Sequence, residues 1–289
     1  MLLAWEKTLC VLHLFLSIQM SDRAVVLNMM PDTFDDQYIG CAEEMEHQMP
    51  KILTEELKYN QFAVMWERAS RAWNRKGLPL PSKFDDKYGT AVVLYTMETP
   101  YPIYRQLNGN VSIMGKSRDL YMKNFHFKAL HFYLTRALQV LRTGCANKTR
   151  VYRGTDIGAV DVAKKIRFDR FTSSSTSITI AERFGKKPFF NILTCYGVDI
   201  ADLSDYEEQE YLIPVAETFN MVSQTENTYE LESTGKLCSY FNCAYLGGEK
   251  RESPVCNSGS TGFLNSGPRT HLSITGLAII LYLKCVIFF

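Results

Sequence analysis

Histidine is scarce in this chain, at 5 of 289 residues, and no Cys-x-x-Cys pair accompanies it. A zinc site therefore has few ligands to draw on, and no metal is expected. No Gly-x-Gly-x-x-Gly follows an apolar run, so a Rossmann dinucleotide fold is unsupported. No Gly-x-Ser-x-Gly elbow occurs either, and a Ser-His-Asp triad has little histidine to use. Gly109 to Ser117 approaches a P-loop, but its spacing is one residue too long. The net charge of +1, without long runs of like charge, argues against a nucleic-acid partner, which calls for a basic stripe. The apolar runs at the two ends are short for a bilayer-spanning helix.

Those two ends read as processing signals. Lys7 precedes an apolar run from Thr8 to Ile18, the length of a signal-peptide core, and residues 1–23 are expected to be removed. Leu277 to Phe289 is apolar apart from Lys284 and follows a polar spacer and small residues. That order is the pattern of a GPI-attachment signal. Asn265 is the expected attachment residue, with Ser258 and Ser260 behind it, and 251–289 is expected to be linker and signal. Cys10 and Cys285 fall in these ends, leaving Cys41, Cys145, Cys195, Cys238, Cys243 and Cys256. An even count in an exported chain favours disulfides, in any of fifteen pairings. The sequons at Asn110 and Asn147 fit the same compartment.

Between the ends the chain changes character near residue 145. Phe62, Met65, Trp66, Ala69 and Trp73 recur at helical spacing, and Gly77 with the prolines after it stops that run. Phe127, Leu130, Leu134, Leu138 and Leu141 form a second stripe, with Gly144 as its stop. From Val151 the segments are short and rich in β-branched and aromatic residues: 166–175, 189–200, 211–222 and 228–233. Helices followed by strands predict an α+β fold, helical over 24–145 and β-rich over 146–250.

Three short elements stand out in the β-rich half: Val151-Tyr-Arg153-Gly154, Phe171-Thr-Ser173-Ser-Ser175 and Glu207-Glu208-Gln209-Glu210-Tyr211. Each alone has an ordinary reading, as a salt-bridged arginine, a polar strand edge and a solvated turn. In this order they resemble the R…S-x-S…E-x-E signature of the arginine-specific mono-ADP-ribosyltransferase family. The likeness extends to Thr33–Cys41, to the run from Phe125 to Gln139, to Phe189–Gly197 and to Thr234–Cys243, and so covers roughly residues 25 to 245.

The resemblance implies a helical half packed on a β-sandwich NAD-binding core. It implies transfer of ADP-ribose from NAD, as co-substrate, to arginine side chains of extracellular proteins, at the outer face of the plasma membrane. The family's alternatives are NAD glycohydrolysis and a catalytically spent recognition protein. Carried over residue by residue, Arg153 grips the dinucleotide phosphates and Ser173 orients the catalytic carboxylate. Glu210 steadies the sugar cation, and Glu208 holds the acceptor guanidinium while Glu207 stays solvated. Tyr95, Gly154, Arg170, Phe184 and Ser204 are implied to contact NAD, and Tyr206 shares the loop with Ser204. The family pattern pairs Cys41 with Cys243 and Cys145 with Cys195, and leaves Cys238 and Cys256 open. Gln209 and Tyr211 depart from the usual Glu and Val.

Overall fold

The computed structural model describes residues 25–100, 102–204 and 209–259. The signal-peptide and lipid-attachment expectations, Asn265 included, lie outside these residues. So do Tyr206, Glu207 and Glu208.

Among the described residues six helices precede the main sheet: α1 (Ala42–Glu56), α2 (Asn60–Trp73), α3 (Asp86–Thr96), α4 (Ile103–Met114), α5 (Arg118–Asn124) and α6 (Lys128–Leu141). α1 buries Met45, Met49, Ile52, Leu53 and Glu56, the single stripe of a surface helix. α2 buries Phe62, Trp66, Ala69, Ala72 and Trp73, as its periodicity predicts. α3 is buried from Tyr88 to Thr96 on every face and forms the centre of the helical layer. Its start is fixed by Asp85, whose side chain accepts from the Lys87 amide. α4 absorbs the first part of the P-loop-like segment. Gly115 caps it with its Cα against the Thr33–Phe34 backbone, so close that a Cβ would collide. That segment is a helix end, not a phosphate cradle.

The strands are β1 (Val25–Leu27), β2 (Thr149–Gly154), β3 (Val160–Val162), β4 (Lys165–Ile166), β5 (Thr172–Ser175), β6 (Phe189–Thr194), β7 (Val198–Asp199), β8 (Glu210–Ile213), β9 (Glu217–Thr225), β10 (Thr228–Ser239) and β11 (Val255–Asn257). A short helix α7 (Ile178–Glu182) lies among them. Among the described residues nine strands form one sheet: eight follow the path β4-β9-β10-β6-β2-β5-β8-β7, and β11 lies off it beside β10. β6 and β10 run parallel and the other pairs in this sheet are antiparallel. The expected β core is a mixed sheet with a narrow seam, where β2 meets β5 at the single pair Tyr152↔Ser175.

Some expected boundaries move. The 166–175 segment is two strands separated by Arg167 to Phe171, and 189–200 and 211–222 each divide in the same way. β1 falls in the stretch expected to be helical, yet pairs with β3. Residues 251–257, expected as linker, carry β11, which pairs with β10 in the register Cys238↔Cys256. A disulfide joins that pair, resolving the two cysteines left open; Cys41–Cys243 and Cys145–Cys195 are bonded as the resemblance implies. The sequon at Asn110 sits within α4, its amide donating to Gln106 O at 2.8 Å, whereas Asn147 is exposed in the loop before β2.

The helices and the β5–β8–β7 wing share one core. Phe171, Val198, Ile200, Leu203 and Leu212 pack with Phe34, Tyr38, Leu130 and Leu134. Each fully buried side chain of this size contributes about 1.5–3 kcal/mol, so the two halves stand or fall together.

The Thr33–Cys41 segment is the knot. Asp35, fully buried, pairs with fully buried Arg167 and accepts from the amides of Tyr240 (2.8 Å) and Phe241 (2.9 Å). Arg167 also donates to the carbonyls of Met29, Met30 and Cys238, so the charge pair has the hydrogen bonds it needs in a low-dielectric interior. Asp36 accepts from the amides of Tyr38, Cys243 and Ala244, which oppose the burial that pushes its pKa up to about 6.

Candidate active site

β2 and β5 lie side by side at the sheet's seam, and α3, α4 and α7 close over them. The result is a cavity of about 440 Å³. Arg153, Ser173 and Glu210 all line it, from three different strands.

Each is set by its strand. Arg153 is at the penultimate position of β2 and donates through Nη1 to Ser173 O at 2.6 Å. Burial lowers its pKa, while Tyr95 and Glu210 oppose that shift; a guanidinium remains charged under either influence. Glu210 opens β8 directly opposite Ser175 and is 7% exposed. Its Oε2 accepts from Ser204 Oγ at 3.4 Å, which makes Ser204 a support of the carboxylate. Ser204 is 4% exposed and is not among the residues lining the cavity. Ser173 stands two residues along β5, opposite Leu212 and diagonal to Glu210. In an antiparallel pair this puts Ser173, Ser175, Glu210 and Leu212 on one face.

Gly154 ends β2 where α7 crosses it. A Cβ there would strike the carbonyl oxygens of Ala181 and Gly185, so glycine is what lets the two backbones approach. Phe184 lines the same end and is 57% exposed, a flat apolar surface open to the cavity mouth. Tyr95 lines the opposite wall and is 2% exposed. Burial pushes its phenol up to about 12, against hydrogen bonds with Asn108 and Ser173. Arg170 is turned aside: its guanidinium forms a two-point pair with Asp169, at 2.6 and 2.7 Å, and it does not line the cavity.

Sequence reasoning missed Tyr104, Arg105 and Asn108, which reach the cavity from α4. Their three- and four-residue spacing puts them on one face of that helix. A signal existed in that spacing, but it lies in a half of the chain that reads as scaffold. The combination of a half-buried guanidinium, a carboxylate and an exposed aromatic around one cleft suits a phosphate-bearing ligand with a cationic, planar group.

The model of a family described as NAD:arginine ADP-ribosyltransferase matches residues 27–239. The chain belongs to the NAD:arginine ADP-ribosyltransferase family. Among similar members, rat ecto-ADP-ribosyltransferase 5 is 43% identical over 244 residues, covering 79% of each chain. The chicken erythroblast NAD(P)(+)--arginine ADP-ribosyltransferase is 37% identical over 235 residues, covering 78% of this chain and 77% of that one. The crystal structure of the eukaryotic mono-ADP-ribosyltransferase ART2.2 superposes with a TM-score of 0.69 at 36% identity, covering 76% of this chain and 99% of that one. ART2.2 variants have also been solved in complex with NADH and with NAD. In this ADP-ribosyltransferase, the cavity at the sheet's seam is the candidate NAD site. Among the described residues no helix is long and apolar enough to cross a membrane, and no group of three or more His, Cys, Asp or Glu gathers as a metal site.

Proposed function

We propose that this protein transfers ADP-ribose from NAD to arginine side chains of extracellular or cell-surface proteins, releasing nicotinamide. The observation that carries the reading is the convergence of Arg153, Ser173 and Glu210 on one cavity. Breaking the bond from ribose C1′ to the nicotinamide nitrogen sends its electron pair to the leaving ring and leaves an oxocarbenium-like sugar. A carboxylate fixed beside that sugar stabilises the charge as it develops, and Glu210 is held in position for this by Ser204. The Arg153 guanidinium suits the pyrophosphate oxygens. Gly154 leaves backbone groups open to the carboxamide, and Phe184 offers a face to the departing ring. Glu208, two residues before Glu210, binds the acceptor guanidinium and takes its proton as the new C1′–N bond forms.

Relatives named as arginine transferases, ecto-enzymes and GPI-linked proteins support arginine as acceptor and the outer cell surface as location. The small-residue, spacer and apolar-tail pattern supports a lipid anchor. Incubating the purified protein with labelled NAD and agmatine tests the chemistry. Ribosylated agmatine with equimolar nicotinamide is the expected result. Free ADP-ribose without adduct would make the protein a glycohydrolase, and unconsumed NAD would make it a recognition protein.

A further inference from the structure

The helical half does more than wall the cleft. Tyr95, near the end of α3, donates its hydroxyl to the carbonyl of Phe171 at 3.1 Å. Asn108, on α4, donates through Nδ2 both to the Tyr95 hydroxyl at 3.0 Å and to the same Phe171 carbonyl at 3.4 Å. The Ser173 side chain lies near enough to the Tyr95 phenol to oppose the rise in its pKa. Asn108 is 7% exposed and Tyr95 2%, so water competes poorly for these bonds. Phe171 is the residue just before β5, and two residues on, the Ser173 carbonyl takes the bond from Arg153. The start of β5 is therefore gripped from two helices and from β2, while its seam with β2 carries the pair Tyr152↔Ser175.

We propose that Asn108 and Tyr95 are positioning residues that clamp the Phe171–Ser173 backbone and so fix the Ser173 hydroxyl for catalysis. The clamp rests on the function proposed above. It gives α4 a role in turnover, and it assigns Tyr95 to holding the catalytic strand more than to touching NAD. The geometry gives it sharp consequences. Tyr95→Phe deletes the hydroxyl that joins Asn108 to the Phe171 carbonyl and leaves the ring in place. Asn108→Asp keeps the shape but replaces the two-way donor with an acceptor facing a carbonyl oxygen. Misplacing a reacting group by on the order of 1 Å costs up to about 10²-fold, so each change is expected to lower kcat about tenfold or more. The KM for NAD is expected to stay within about threefold, because the groups that touch the dinucleotide remain.

The test is a double-mutant cycle on kcat with Ser173→Ala, with thermal unfolding of every variant as a check on the fold. Where the clamp acts through Ser173, Tyr95→Phe and Asn108→Asp lose most of their effect once the serine hydroxyl is gone. Full multiplication of the two effects overturns the clamp, as does a rise in KM at unchanged kcat, which marks direct contact with NAD. Should Asn108→Asp prove too unstable to assay, Tyr95→Phe carries the same cycle. A Ser173→Ala enzyme with intact turnover would remove the serine's own role and the clamp with it. An impaired Ser173→Ala enzyme beside a fully active Tyr95→Phe enzyme would sink the clamp alone.

Discussion

Replacing Glu210 by glutamine tests the central electrostatic claim, because it removes charge and little else. The carboxylate is 7% exposed at the wall of the cleft. A sugar cation about 4 Å away, at an effective dielectric near 20, interacts with it by about 4 kcal/mol. NAD already carries a positive nicotinamide ring; taken at about 7 Å, beyond the sugar, it is attracted by about 2 kcal/mol on the same scale. Loss of the charge therefore lowers kcat/KM by the full 4 kcal/mol, about 10³-fold. The part that survives in kcat is the difference of about 2 kcal/mol, roughly 30-fold, with KM raised by a similar factor. Initial rates of nicotinamide release over a range of NAD, with and without agmatine, separate these quantities. Transfer and hydrolysis should fall together, since both pass through the same cation. A Glu210→Gln enzyme whose kcat/KM stays within tenfold of the parent would refute the reasoning.

Other expectations follow from other parts of the molecule. Glu208→Ala should leave NAD cleavage and lose agmatine modification; full transfer by that variant would show that the residue does not hold the acceptor. Breaking Cys41–Cys243, which spans 202 residues, by a Cys41→Ala, Cys243→Ala double change should cost about 2–5 kcal/mol of stability, read as a lower urea midpoint. His131 is buried among aromatic rings, bonds to the Tyr38 hydroxyl at 2.7 Å, and has its pKa pushed down to about 3 by burial. A depressed folded-state value means stability present above the unfolded value near 6.5 and lost as pH falls. About 2 kcal/mol should be lost between pH 7.5 and 5. Glu56 and Asp36, raised to about 8 and about 6 by burial, act with the opposite sign. The His131 share is therefore read as the difference between the parent and His131→Gln in urea unfolding at the two pH values; equal slopes would refute it. Phosphatidylinositol-specific phospholipase should release the protein from cells if the lipid anchor is present.

The division into a helical and a β-rich half was legible because the hydrophobic period changes near residue 145, between the end of α6 at Leu141 and the start of β2 at Thr149. Arg153, Ser173 and Glu210 were legible as a motif in linear order. The motif says nothing of the third dimension, and so α4 went unread. Tyr104, Arg105 and Asn108 belong to a helix whose other face is ordinary core, and polar residues on an amphipathic helix read as solvated surface. Ser204 and Arg170 show the reverse limit. Both sit close in sequence to site residues, yet one supports Glu210 from behind and the other is occupied by Asp169. The 166–175 run failed in its boundaries because buried Arg167, drawn to Asp35 more than 130 residues away, breaks a run that composition makes continuous.

The lacing of Asp35, Asp36 and Cys41 to residues 240–244 also sets a timetable. At about 5–20 residues per second of synthesis, the 202 residues between Cys41 and Cys243 take on the order of 10–40 s to appear. Cys145, Cys195 and Cys238 emerge within that interval, so a thiol near the start of the chain must outlast three earlier suitors before its proper partner exists. Maturation of this molecule is thus paced by the segment that follows β10, and an oxidant that acts too soon harms it more than one that acts too late.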